Sequence, residues 1–136
     1  MRKETLVVIP GMACDHSVYQ YQMEHLSDLV KSVVVDLNGA DTIEKMVAKV
    51  MDDKPDTFYL AGHSLGGYVC LEVMRRHPQP TQVIVGRGDP FFFNSSQQIA
   101  TGIKGAEFVV IEQCGHMLTM ECPEETTEQM RRWLSP

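Results

Sequence analysis

Residues 58–69 run Phe58-Tyr59-Leu60-Ala61-Gly62-His63-Ser64-Leu65-Gly66-Gly67-Tyr68-Val69. A short apolar run ends in a turn that holds G-x-S-x-G, and an amphipathic stretch begins at Leu65. The order is strand, tight turn, helix. Small residues beside the serine let the chain turn sharply without a clash. The turn lifts the Ser64 hydroxyl off the strand end and sets it at a helix N-terminus. Chance supplies G-x-S-x-G in roughly one chain in twenty of this length, taking Gly near 7% and Ser similar. The strand–turn–helix context makes the match several-fold more specific.

The same alternation extends in both directions. Upstream, Leu6-Val7-Val8-Ile9 is an apolar run closed by Pro10-Gly11. Ser17 to Val30 carries Val18, Tyr21, Leu26, Leu29 and Val30 at helical spacing, and Val33-Val34-Val35 follows as a β-branched run. Asp41-Thr42 offers an N-cap to a helix with Ile43, Met46, Val47 and Val50 on one face. Downstream, Leu65 to Arg75 forms a helix that stops near His77-Pro78, and Gln82 to Val85 forms the fourth strand. A weak helix spans Ser95 to Ile103, and Phe108-Val109-Val110-Ile111 is the fifth strand. Pro123 opens a last helix to about Leu134, with Glu124 and Glu125 in its first turn. Apolar strands alternating with helices predict an α/β fold: a three-layer α/β/α sandwich around a five-stranded, mainly parallel sheet. No linker, repeat or low-complexity segment interrupts the 136 residues, so one domain is expected.

Twelve Lys and Arg against eighteen Asp and Glu leave a net charge of −6. That balance argues against nucleic acid or an anionic membrane surface as partner. The first apolar run is too short for a signal-peptide core or a membrane span. The four cysteines, Cys14, Cys70, Cys114 and Cys122, form no C-x-x-C pair and have no zinc-type spacing with a histidine. A reduced, cytoplasmic protein without a metal or other cofactor is the expectation.

A serine needs a base to become a nucleophile. Of five histidines, His16, His25 and His77 fall on or near helices as surface or capping groups, and His63 lies inside the turn itself. His116 follows the fifth strand after Cys114-Gly115 and is the candidate base, the alternative being an ordinary loop histidine. The imidazole in turn needs an acid that fixes its tautomer. Asp89, after the fourth strand, gives the chain order Ser64, Asp89, His116. Asp36, also after a strand, is the other candidate, and an Asp after a strand is equally a common turn residue. In open α/β sheets ligands bind beyond the carboxyl ends of the strands, where all these residues fall. Two backbone N–H groups are candidates for an oxyanion hole: Leu65, after the serine, and Met12, in the loop after the first strand. A plain Pro-Gly turn is the other explanation of that loop. Short-chain ester hydrolysis is the expected activity. Lactone, thioester or carbon–carbon bond hydrolysis on the same groups are the alternatives, together with a weakly catalytic binding protein.

Taken together, Val7-Val8-Ile9-Pro10-Gly11-Met12, Ala61 to Tyr68, Val83 to Asp89, and Cys114-Gly115-His116 with Glu121 to Glu124 resemble the α/β-hydrolase family, most closely its small, cofactor-free esterases and lactonases. The resemblance runs in order along nearly the whole chain. It implies a catalytic triad of Ser64, Asp89 and His116 and a minimal core, residues 1–136, with strand order 2-1-3-4-5. Family members commonly carry His-Gly where this chain has Pro10-Gly11. They also carry a further strand and a helical lid between the elbow helix and the acid strand, where this chain has only Arg76-His77-Pro78-Gln79-Pro80. Two strands that usually precede the first core strand are missing as well. A lid-less site is therefore expected, its mouth drawn from Met12, Tyr19, Phe91, Phe92, Phe93 and Met117. Tyr19, Phe91 and Met117 are the candidates for substrate contact. An open apolar face of that kind would also favour a homodimer.

Overall fold

A computed structural model describes residues 2–52 and 54–135. The chain divides into two compact units, Met1–Pro78 and Gln79–Pro136.

The first unit is built around β1 (Glu4–Ile9). It pairs in parallel with β2 (Val30–Val34) on one side, Val7 opposite Val33, and with β3 (Tyr59–Gly62) on the other, Val7 opposite Leu60. Leu6, Val7, Val8 and Ile9 are all buried, because a central parallel strand is covered on both faces. β2 is different. Its residues alternate between buried and exposed, and Val33 is 44% exposed. Among the described residues β2 pairs only with β1, so it is an edge strand. A short 3-10 turn (His16–Tyr19) and α1 (Gln20–His25) join β1 to β2. The helix expected over Ser17 to Val30 is thus cut short. Ser27 turns its hydroxyl onto the Glu24 carbonyl, a local bond that competes with helix continuation, and Val30 leaves to pair with Glu4. Thr42 caps α2 (Ile43–Met51) by accepting from Lys45 N–H at 3.2 Å. α2 and α3 (Leu65–Arg76) bury Val47, Val50, Val69 and Val73 against Val7 and Ile9.

The second unit pairs β4 (Gln82–Gly86) in parallel with β5 (Glu107–Ile111), from Gln82 opposite Glu107 to Gly86 opposite Ile111. Between them lies α4 (Phe93–Gly102), which begins two residues earlier than its composition suggests. After β5 come α5 (Leu118–Glu121) and α6 (Pro123–Leu134). α5 has no periodic signal in the sequence, being a single turn. It is fixed by two capping contacts: Glu121 accepts from the Met117 N–H at 2.8 Å, and the buried Thr126 hydroxyl donates to the Leu118 carbonyl at 3.0 Å. The core of this unit is small: Ile111, Cys114 and Leu118, with Ile84, Val109 and Cys122 packed on it. The orders β2-β1-β3 and β4-β5 are those expected within each unit. Among the described residues no helix is long and apolar enough to cross a membrane.

Candidate active site

Ser64 sits between β3 and α3 with φ 58° and ψ −117°. This is a left-handed conformation that costs a non-glycine residue about 1–3 kcal/mol and persists only where its surroundings enforce it. The enforcement is visible on both sides. His63 N–H donates to the Ile9 carbonyl at 3.2 Å and its carbonyl accepts from Gly66 N–H at 3.0 Å. The Ser64 carbonyl accepts from Gly67 at 2.9 Å and from Tyr68 at 3.2 Å, closing the first turn of α3. A Cβ on Gly62 would stand 2.2 Å from the Gly66 carbonyl oxygen, and one on Gly66 would stand 2.1 Å from that of Ile9. Both flanking glycines of G-x-S-x-G are therefore required by backbone approach. Leu65 opens α3, so its N–H has no intrahelical acceptor.

The loop after β1 runs against this serine. A Cβ on Gly11 would lie 3.2 Å from Ser64 Cβ. Cys14 N–H then closes a turn on the Gly11 carbonyl at 3.2 Å, with Ala13 at φ 57°. Met12, on this turn, is 75% exposed. Beneath the elbow, burial pushes the Cys70 thiol up to about 12, and burial followed by the neighbouring Cys70 pushes the Tyr19 phenol well above its ordinary value. Tyr19 is buried, at 3% exposure, and so is a core residue of the first unit instead of a group on an open rim.

In the second unit the turns after β4 and β5 are tied together. Arg87 N–H donates to the Ile111 carbonyl and Gly88 N–H to the Cys114 carbonyl, each at 2.9 Å. They bring Asp89 to His116: Oδ2 lies 2.9 Å from the imidazole Nδ1. Oδ1 accepts from the Phe91 and Phe92 N–H groups at 2.9 and 3.0 Å. Burial raises the Asp89 carboxyl, but the hydrogen bonds from His116 and the two amides together outweigh it, and it is held below its ordinary value. An ionised Asp89 carboxylate can only accept, so Nδ1 is the donor in this bond, and in the neutral imidazole that tautomer leaves the lone pair on Nε2. The Phe92 ring stacks on the imidazole, with centroids 5.0 Å apart and planes 30° apart. Phe91 meets the same ring edge-on at 6.1 Å and is 74% exposed. Met117, next to His116, is half-buried, its N–H held by Glu121.

The alternative candidates have local partners. Asp36 is exposed and accepts from Asn38 N–H at 2.9 Å. His25 stacks on Tyr21, with centroids 3.8 Å apart, and His77 and His16 are exposed at element ends. His63 is buried in the elbow. Among the described residues no three His, Cys, Asp or Glu side chains converge as a metal site. Sequence reasoning missed Phe92 as a double contact of the Asp89–His116 pair. The signal available was Asp89-Pro90-Phe91-Phe92, in which an Asp commonly accepts from amides two and three residues on.

These two constellations can be set beside known proteins. An α/β-hydrolase enzyme from the sediment metagenome of the Mar Chica lagoon, Morocco, superposes with a TM-score of 0.89 at 15% identity, covering 97% of this chain and 90% of that one. The chain has the α/β-hydrolase fold. A thermophilic esterase from Thermogutta terrifontis matches at TM-score 0.82 and 18% identity, over 96% of this chain and 89% of its own. In sequence, the monoacylglycerol lipase abhd6-A of Xenopus laevis is 34% identical over 65 residues, 47% of this chain and 19% of the lipase. The pimeloyl-(acyl-carrier protein) methyl ester esterase of Salmonella heidelberg is 32% identical over 88 residues, 59% of this chain and 34% of the esterase. The chain thus spans about a fifth to a third of the length of the curated relatives it matches. No family model matches it. This α/β-hydrolase core carries the elbow serine in its first unit and the Asp89–His116 pair in its second.

Proposed function

We propose that this chain is a serine hydrolase that cleaves short-chain carboxylic esters, with Ser64 as nucleophile, His116 as base and acid, and Asp89 as the group that orients His116. The observation that carries the proposal is Ser64 at φ 58° inside G-x-S-x-G, a strained conformation that the surrounding backbones hold in place at a helix N-terminus. The proposal includes one domain over residues 1–136 and one five-stranded sheet in the order 2-1-3-4-5. The esterase and lipase names of the relatives support the ester as substrate.

The chemistry follows from the groups in place. Ser64 Oγ attacks the acyl carbon while Nε2 of His116 takes its proton. Asp89 holds Nδ1–H and stabilises the imidazolium that forms. The tetrahedral oxyanion is met by the N–H groups of Leu65, at the positive end of α3, and of Met12. His116 then gives its proton to the leaving alkoxide, and the acyl-serine ester forms. A water deprotonated by His116 attacks that ester and releases the acid. Phe91 and Met117, flanking the Asp89–His116 pair, supply apolar contact to a small acyl group. Tyr19, being buried, is replaced in that role by Phe92.

Hydrolysis of p-nitrophenyl acetate, butyrate and octanoate by wild type and Ser64→Ala tests the proposal. Wild type turns over the shorter esters best, and Ser64→Ala loses roughly 10⁴–10⁶ in turnover while keeping its thermal midpoint. Equal turnover by the folded mutant removes Ser64 from the mechanism.

A further inference from the structure

Two cysteines bracket the segment that carries His116. Cys114 is buried at 3% exposure, directly after Gln113 at φ 54°, and its carbonyl is bound by Gly88 N–H. Cys122 is half-buried. Its N–H closes α5 on the Leu118 carbonyl at 3.0 Å, and its carbonyl accepts from Thr126 at 3.1 Å in α6. Backbone bonds thus anchor each cysteine at one end of the segment. Their side chains lie in one cluster in the core of the second unit: Cys122 packs against the group formed by Ile111, Cys114 and Leu118, and its Sγ–H donates to the carbonyl of Gln113, the residue before Cys114, at 3.9 Å. Neither thiol has a part in ester hydrolysis. The other two cysteines, Cys14 and Cys70, belong to the first unit.

We propose that Cys114 and Cys122 are a disulfide-forming pair, oxidised by a hydroperoxide and reduced by a thiol, whose bond staples the segment holding His116. The order of events follows from exposure and charge. Burial, then the Cys122 thiol, then Glu121 push the Cys114 thiol up to about 12, so it does not react first. Cys122 reaches solvent. Its sulfur attacks one peroxide oxygen, the O–O bond breaks, and a sulfenic acid and one water form. The Cys114 sulfur then attacks the Cys122 sulfur, the S–S bond forms, and the S–O bond breaks. Hydroxide leaves with the Cys114 proton as a second water. Two thiols have lost two electrons and one hydrogen peroxide has become two waters. A dithiol such as dithiothreitol reverses the bond by exchange.

The bond closes a short ring around Gly115 to Glu121 and restricts the unfolded chain more than the folded one, whose cysteines already share one packed cluster. The test is oxidation of the full chain with hydrogen peroxide, followed by alkylation, peptide mapping and a thermal scan. The tryptic peptide 105–131, released at Lys104 and Arg131, holds both cysteines. It is expected to lose roughly 2 Da and both alkylation sites, the thermal midpoint to rise by about 5 °C, and dithiothreitol to restore both properties. Sulfinic acid at either cysteine, a bond to Cys14 or Cys70, unchanged thiols, or a linked peptide with an unchanged or lower midpoint overturns the proposal. Cys122→Ser is expected to abolish the midpoint shift and leave Cys114 alkylatable. If that variant does not fold, the wild-type map alone decides.

Discussion

Ser64 is strained because three backbones converge on it: β1 at Ile9, α3 at Gly66 and the loop at Gly11. That convergence sorts the glycines of the elbow. Gly62→Ala and Gly66→Ala each drive a Cβ to within 2.2 Å of a carbonyl oxygen, so each is expected to cost more than about 3 kcal/mol. Gly67→Ala places its Cβ 3.5 Å from the nearest oxygen, inside a helix, and is expected to be neutral or to stabilise by about 0.5–1 kcal/mol. Thermal unfolding of the three variants measures the ranking, and a Gly66→Ala midpoint equal to that of Gly67→Ala contradicts it. These glycines were legible in the sequence because the motif encodes a local clash. Phe92 was not, because its stacking depends on a turn and on a loop histidine, His116, 24 residues further on. Tyr19 was misplaced at the mouth because an aromatic after a strand fits a rim and a core equally well, and only packing separates them.

The turns after β4 and β5 form a unit of chemistry, with Asp89 as its hub. Its carboxyl is held below its ordinary value, so its contribution to stability is fully present above the unfolded value, about 3.9, and is lost as pH falls through the lower folded value. Asp89→Asn keeps an acceptor for the two amides but loses the charge opposite His116. The variant is expected to be less stable than wild type by about 2 kcal/mol at pH 7, with the gap closing below about pH 4. Urea unfolding across pH measures it, and a gap that stays constant down to pH 2 contradicts the carboxylate's role. Elements varied in how far their own residues specified them. β1 was plain, because four consecutive apolar side chains suit a strand buried on both faces. The helix over Ser17 to Val30 was overread. Leu29 and Val30 continue its periodicity, and nothing local reveals that Val30 pairs with Glu4 far upstream. α5 is one turn held by Glu121 and Thr126, too short for a periodicity to register.

At the level of the whole chain, two compact units hold the serine and the Asp89–His116 pair separately. Alternating strands and helices sufficed to foresee an α/β class, and the resemblance carried by the motifs foresaw the α/β-hydrolase fold that the TM-scores of 0.82 and 0.89 support. The single domain proposed above predicts one cooperative transition. Ile9 and Ile111, at 0% and 3% exposure, are core residues of the first and second units. Truncating either to Ala is expected to cost about 2–5 kcal/mol and to lower one shared thermal midpoint. Two separate transitions, each moved by only one of the mutations, contradict a single domain. The mechanism proposed above requires His116 to serve Ser64, since a serine without its base is a weak nucleophile. Fluorophosphonate labelling, with the adduct located by peptide mass mapping and its rate compared in wild type and His116→Ala, examines this most directly. A single adduct on Ser64, formed at least about 100-fold more slowly in His116→Ala, is the expected result. An adduct elsewhere, or equal Ser64 labelling in both proteins, would mean that His116 does not serve Ser64.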